Sequence, residues 1–152
     1  MKDILKKIAG DYVDVNFVET DKFYWSPREQ TVFYKQTVDK TGTWALIHEL
    51  AHGVLQHKTY HSDFELLQLE VAAWEAAKDI AKRYKVNISD DHIQDCLDTY
   101  RDWLHARSKC PACGDHGLQI DPNTYECLNC FSQWHVSTER FCRAYRKKLT
   151  KY

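Results

Sequence analysis

Apolar residues at positions 4, 5, 8 and 9 of "DILKKIA", ending at Gly10, predict a short N-terminal helix. From 12 to 18, "YVDVNFV" alternates apolar and polar positions and is rich in Val, the period of a strand. "KFYW" and "TVFYKQ" predict two more strands. Between them "SPRE" sets Pro27 at the second position of a type I turn, so the two form a hairpin. A helical period then runs from about 43 to 57, and a second, rich in Leu, Ala and Glu, from about 63 to 84. In "NISDDH", Ser89 is the predicted N-cap of a third, with Asp90 and Asp91 in its first turn, where the helix dipole favours anions. Its stripe of Ile93, Cys96, Leu97, Tyr100 and Leu104 ends near Arg107. Residues 1–107 thus read as α+β, a short three-stranded sheet with three main helices.

The segment "WALIHELAHGVLQH" sets His48, Glu49 and His52 into an otherwise apolar helix. Residues four apart share a helix face, so the two imidazoles converge on one point. Zinc takes imidazole nitrogen at about 2.0–2.1 Å, and a catalytic site keeps one of its four positions for water. Glu49 lies about 100° round the helix, beside an ion rather than on it, placed to take a proton from the attacking water. H-E-x-x-H on a helix carries that mechanical meaning.

A third ligand is needed. The metzincin pattern sets a His six residues after His52, but position 58 is Lys. On a helical wheel centred on Glu70, Leu66, Leu67, Ala73, Trp74, Ala77, Ala81 and Tyr84 fall within about 60° of it. Glu65, Gln68, Glu75, Asp79 and Lys82 lie opposite. Glu70 is the one carboxylate at the centre of the buried stripe, where lone burial costs several kcal/mol that a cation or a buried Arg or Lys relieves.

With these residues assembled, the chain resembles the ImmA/IrrE family of small zinc metallopeptidases, of gluzincin type. The similarity lies in "WALIHELAHGVL", in "EVAAW" beginning eighteen residues after His52, and in the hairpin "YWSPREQTVFYKQ". It covers roughly residues 20–85 and implies a zincin-like fold, peptide-bond hydrolysis and Glu70 as third ligand. Relatives of this kind cut transcriptional repressors, but this chain carries a cysteine module and no recognisable helix-turn-helix. A weaker resemblance is to SprT-like proteases, which join H-E-x-x-H to a zinc ribbon and use a His as third ligand. Here "HSDF" offers His61 for that role, nine residues after His52.

His57, Tyr60, His61 and Asp63 follow the metal helix. A Tyr or His there can donate to a developing oxyanion, and an Asp can orient a ligand imidazole. The hairpin at 22–36 offers an edge strand to an extended peptide.

"CPACG" and "CLNC" form C-x₂-C…C-x₂-C with thirteen residues between the pairs. Cys110, Cys113, Cys127 and Cys130 then furnish the closed sulfur set of a structural zinc, in a ribbon of short strands "GLQID", "TYEC" and "SQWHV". About 30 residues hold too little core to fold without such a staple. Cys96, on the apolar stripe of the third helix, reads as a core thiol, and Cys142 is left over.

Composition refines this picture. The chain has 152 residues and a formal net charge of -1, so no overall bias toward nucleic acid or membranes. Residues 108–152 carry seven Lys/Arg against four Asp/Glu, net +3, leaving -4 on 1–107. Five of six cysteines also lie beyond residue 109, so the sequence divides near Ser108. The expected parts are a zincin-like domain at 1–107, a zinc ribbon at 108–138 and a basic tail at 139–152. That tail, "RFCRAYRKKLTKY", has six basic and three aromatic residues suited to phosphates. No apolar run approaches the roughly 20 residues that span a bilayer. "MKDILKKIAG" lacks the apolar stretch of a secretion signal, so a cytoplasmic location is expected, where thiols outnumber disulfides.

The sequence therefore predicts a zinc metallopeptidase with one catalytic and one structural zinc, acting on a protein or peptide. His48, His52 and Glu70 hold the first ion, Glu49 is the general base, and the four cysteines hold the second. The alternative is a non-enzymatic module that binds DNA or protein through ribbon and tail, on an inactive zincin scaffold.

Overall fold

A computed structural model describes residues 1–37, 39–139 and 144–149. The chain is α+β; among the described residues it has four helices and sheets of three and four strands. It divides into two compact units, Met1–Thr59 with Leu69–Ile93, and Tyr60–Gln68 with Gln94–Tyr152. The change of charge and cysteine content at 108 coincides with the end of a helix, whereas the units divide inside two helices.

The first unit opens with α1 (Lys2–Asp11), followed by β1 (Asn16–Glu19), β2 (Tyr24–Ser26) and β3 (Thr31–Tyr34). The predicted strand at 12–18 forms only from Asn16. Its alternating Val13 and Val15 lie in a turn closed by Val15 N–H to Tyr12 O, and Val13 is 79 % exposed. The reason is partner length: β3 begins at Thr31, opposite Asn16, so earlier residues have no ladder to join. β3 is central, parallel to β1 and antiparallel to β2. The β2–β3 hairpin turns through Pro27–Gln30, as the proline predicts. Gln30 takes φ +49° while its side chain donates to the Pro27 carbonyl.

α2 (Lys40–Val54) starts earlier than the periodicity indicates, because Asp39 caps it by accepting the Gly42 N–H at 2.9 Å. α3 (Asp63–Arg83) and α4 (Asp90–Ser108) match the predicted helices within two residues. In the first unit, Val32, Leu46, Ile47, Leu50, Ala73 and Ala77 are fully buried. Gly53 on α2 lets the sheet come close, since a Cβ there would stand 3.0 Å from the Trp25 ring.

The second unit contains β4 (Gly117–Asp121), β5 (Thr124–Cys127), β6 (Gln133–Val136) and β7 (Arg146–Lys148), an antiparallel sheet in chain order. The three predicted ribbon strands are present. Part of the predicted basic tail, Arg146–Lys148, pairs with β6 as a fourth. Residues 140–143 and 150–152 of that tail, with Cys142, lie outside the described residues. Cys110, Tyr125, Cys127, Trp134 and Val136 form the core. Trp134 Nε1 donates to the Arg107 carbonyl at 2.9 Å. Arg107 in turn is buried against Asp63, its Nε 2.6 Å from a carboxylate that also accepts the Tyr125 hydroxyl. The remaining guanidinium donors reach the carbonyls of Ser137 and Pro122. Among the described residues, no helix is long and apolar enough to cross a membrane.

Candidate metal centre

The i, i+4 spacing on α2 brings the His48 and His52 rings to 4.7 Å between centroids, nearly perpendicular. Their Nε2 atoms lie 3.2 Å apart. From α3, Glu70 directs Oε2 to 3.2 Å from His48 Nε2 and Oε1 to 3.7 Å from His52 Nε2. The wheel argument thus holds: Glu70 is buried, as are Ala73, Trp74, Ala77 and Ala81 from its stripe.

Four donors at about 2.05 Å from a tetrahedral ion stand about 3.3 Å from one another. The observed separations, 3.2 Å between the imidazole nitrogens, 3.2 Å from His48 to Glu70 Oε2 and 3.7 Å from His52 to Glu70 Oε1, lie near that value. Two imidazole lone pairs and a carboxylate facing one buried point repel unless a proton or cation lies among them. An N,N,O set suits zinc and neighbouring divalent ions. Burial alone pushes the Glu70 carboxyl up, but hydrogen bonds with His48 and His52, and their charge, hold it well below the usual carboxylate range. His61, the other sequence candidate, is exposed, with its backbone N–H on Glu65 at 2.6 Å, and it is not among the converging ligand atoms.

The ligands are steadied by different means. His48 stacks on Trp74, centroids 4.1 Å apart, and its buried Nδ1 has no hydrogen-bond partner. His52 Nδ1 meets His57 Nδ1 at 2.9 Å. Sequence reasoning placed His57 only as a loop donor. The signal that could have found it is a spacing of five residues across a helix C-terminus. Asp63 does not orient an imidazole. Arg107 and Tyr125 occupy its carboxylate, within the second unit.

Glu49 is half-buried beside the ligands. Desolvation raises its carboxyl, against the opposing charge of His48 and His52 and a hydrogen bond from the Trp25 backbone N–H. Desolvation also lowers the His57 pKa, favouring its neutral form.

The second cluster is built from two matching knuckles. Gly114 N–H donates to Cys110 O at 3.0 Å and Phe131 N–H to Cys127 O at 3.2 Å. Cys110 N–H reaches Asp115 O, and Cys127 N–H reaches Ser132 O, at the equivalent positions. Gly114 and Phe131 both take positive φ, +85° and +56°. Backbone N–H groups of Ala112 and Asn129 point at the first sulfur of each pair, at 3.4 Å. Cross-pair Sγ distances are 3.7 Å for Cys110–Cys130 and 3.5 Å for Cys113–Cys127. Four sulfurs about 2.3 Å from one ion stand about 3.8 Å apart. A hydrogen bond shared with the Ser132 hydroxyl pulls the Cys130 thiol down to about 6, toward the thiolate that binds metal. None of these four cysteines is in a disulfide. The two sets, His48–His52–Glu70 and the four cysteines, each gather their ligand atoms within 4.8 Å.

No protein-family model, curated protein or solved structure matches the chain.

Proposed function

We propose that this chain is a zinc metallopeptidase of the ImmA/IrrE kind, hydrolysing peptide bonds with Glu49 as general base. The observation that carries the reading is the convergence of His48 and His52 from α2 with Glu70 from α3, beside a carboxylate that is not one of the ligands. A zinc ion bound there would supply Lewis acidity, easing deprotonation of water and polarising a carbonyl. Glu49 takes the proton that the attacking water gives up and returns it to the leaving amine. Its raised carboxyl suits a group that must hold a proton between those events. The four cysteines hold a structural zinc that completes the small core of the second unit.

The test is Glu49→Gln in the full chain, with zinc counted and peptide hydrolysis measured. Hydrolysis is expected to vanish while two zinc ions remain per chain. Hydrolysis at the wild-type rate would remove Glu49 from this role, and one zinc per wild-type chain would remove the catalytic ion.

One observation favours a second reading, a nucleic-acid-binding module. Arg146, Lys147 and Lys148 form an edge strand of the ribbon sheet and bring three cations to it, with Lys147 and Lys148 exposed. That module would bind DNA with steep salt dependence, unchanged by Glu49→Gln.

A further inference from the structure

The C-terminus of α2 closes with two linked hydrogen bonds. Gln56 N–H donates to Gly53 O at 3.1 Å, and His57 N–H donates to His52 O at 3.0 Å, with Gln56 at φ +56°. This is a Schellman cap, which folds the residue after the left-handed position back over the residue five before it. The two side chains so juxtaposed are ordinarily apolar. Here they are His57 and His52, with ring centroids 4.9 Å apart and Nδ1 atoms at 2.9 Å. Trp25 Nε1 donates to the His57 carbonyl at 3.0 Å, so residue 57 is held from β2 as well as from α2.

Two ring nitrogens at that distance share one proton, one donating and the other accepting. A proton on His57 Nδ1 would leave neutral His52 protonated at Nε2, the atom facing His48 and Glu70. A proton on His52 Nδ1 leaves that Nε2 lone pair free. The cap therefore bears directly on whether His52 can be a ligand.

We infer that His57 is a positioning residue for the metal site, accepting the Nδ1–H of His52 so that His52 presents an unprotonated Nε2 to the ion. The inference rests on the metal-site reading above. It assigns the helix cap a chemical task, that of selecting a tautomer and holding one ring orientation. His48 has no such partner and relies on its stack with Trp74. The two ligands are thus supported unequally, and His52 is the one whose affinity a distant side chain can tune.

The experiment compares full-length wild type, His57→Phe and His57→Asn. Zinc affinity is measured by chelator competition, and histidine tautomers by two-bond ¹⁵N–¹H correlations on the zinc-loaded proteins. Phe keeps an aromatic ring without an acceptor. Asn lacks the ring but can place its amide oxygen near the Nδ1 position. His57→Phe is expected to weaken zinc at the His48–His52–Glu70 site about 10- to 100-fold, leaving the four-cysteine ion unchanged. His57→Asn is expected to recover most of that loss, and wild-type His57 to carry its proton on Nε2. Unchanged zinc affinity in His57→Phe would overturn the inference, as would an Asn variant no better than Phe. A wild-type His57 protonated on Nδ1 would overturn it too. A wild type binding only the four-cysteine zinc would overturn the metal-site reading itself, and this inference with it.

Discussion

His48 Nε2 and Glu70 Oε2 lie 3.2 Å apart, on side chains that are only 9 % and 10 % exposed, contributed by α2 and α3. A buried carboxylate among neutral imidazoles is an uncompensated charge, which a cation lying between the three side chains would offset. On the proposed reading, Glu70→Ala is expected to reduce zinc from two ions per chain to one. Its loss of affinity at that site should exceed the about 10- to 100-fold typical of residues that only support a ligand. Elemental analysis after extensive dialysis reads the outcome, and two retained zinc ions would exclude Glu70 from the ligand set.

Arg107 and Asp63 form a further buried charge pair, with side chains 2 % and 3 % exposed. Removing one partner strands the other in a medium that solvates it poorly. Asp63→Ala is expected to cost about 3–5 kcal/mol of stability, read by denaturant unfolding of the zinc-loaded protein. Tyr125→Phe removes only a hydroxyl from the same carboxylate and should cost about 1 kcal/mol. An Asp63→Ala loss no larger than that of Tyr125→Phe would show that stranding the Arg107 charge costs little in this network.

Phe131 sits at the position equivalent to Gly114, with positive φ and its ring 64 % exposed. Left-handed backbone costs a non-glycine residue about 1–2 kcal/mol, part of which glycine returns through the greater entropy of its unfolded chain. Phe131→Gly is expected to raise stability by up to about 1 kcal/mol, seen as a higher melting temperature, with zinc stoichiometry unchanged. A fall would reveal that the exposed ring contributes contacts worth more than the backbone relief.

Asp39 connects α2 to pH. The Gly42 backbone N–H, the largest influence on its carboxyl, lowers the folded-state pKa. A depressed folded-state pKa contributes stability above the unfolded value, about 3.9, and that stability is lost as pH falls through the folded value. Asp39→Ala should melt lower than wild type at neutral pH, with the gap narrowing as pH drops below about 4. A gap independent of pH would show that the cap acts without its charge.

What could be read in advance was local. The H-E-x-x-H pair and the C-x₂-C pairs keep their ligands within one turn of helix or one tight loop, so spacing alone predicts convergence. Glu70 was legible for a related reason, since its place on the α3 stripe follows from helical periodicity. The alternation at Val13–Val15 predicts strand where the structure has a turn, because alternation records a side-chain pattern and not the presence of a neighbouring strand. The engagement of Asp63 by Arg107 and Tyr125 could not be foreseen either, as those residues are far apart in the chain.

The amino-acid order by itself determined the helices, the hairpin turn at Pro27 and the local ligand pairs, His48 with His52 and each C-x₂-C, because each depends on contacts a few residues apart. Only the tertiary structure decided that β1 runs parallel to β3 and that Glu70 reaches His48 and His52. It also decided that residues 146–148 join the ribbon sheet, and that His57 folds back onto His52. Those outcomes depend on which surfaces become buried together and which backbone groups then find partners, and one-dimensional spacing does not encode that.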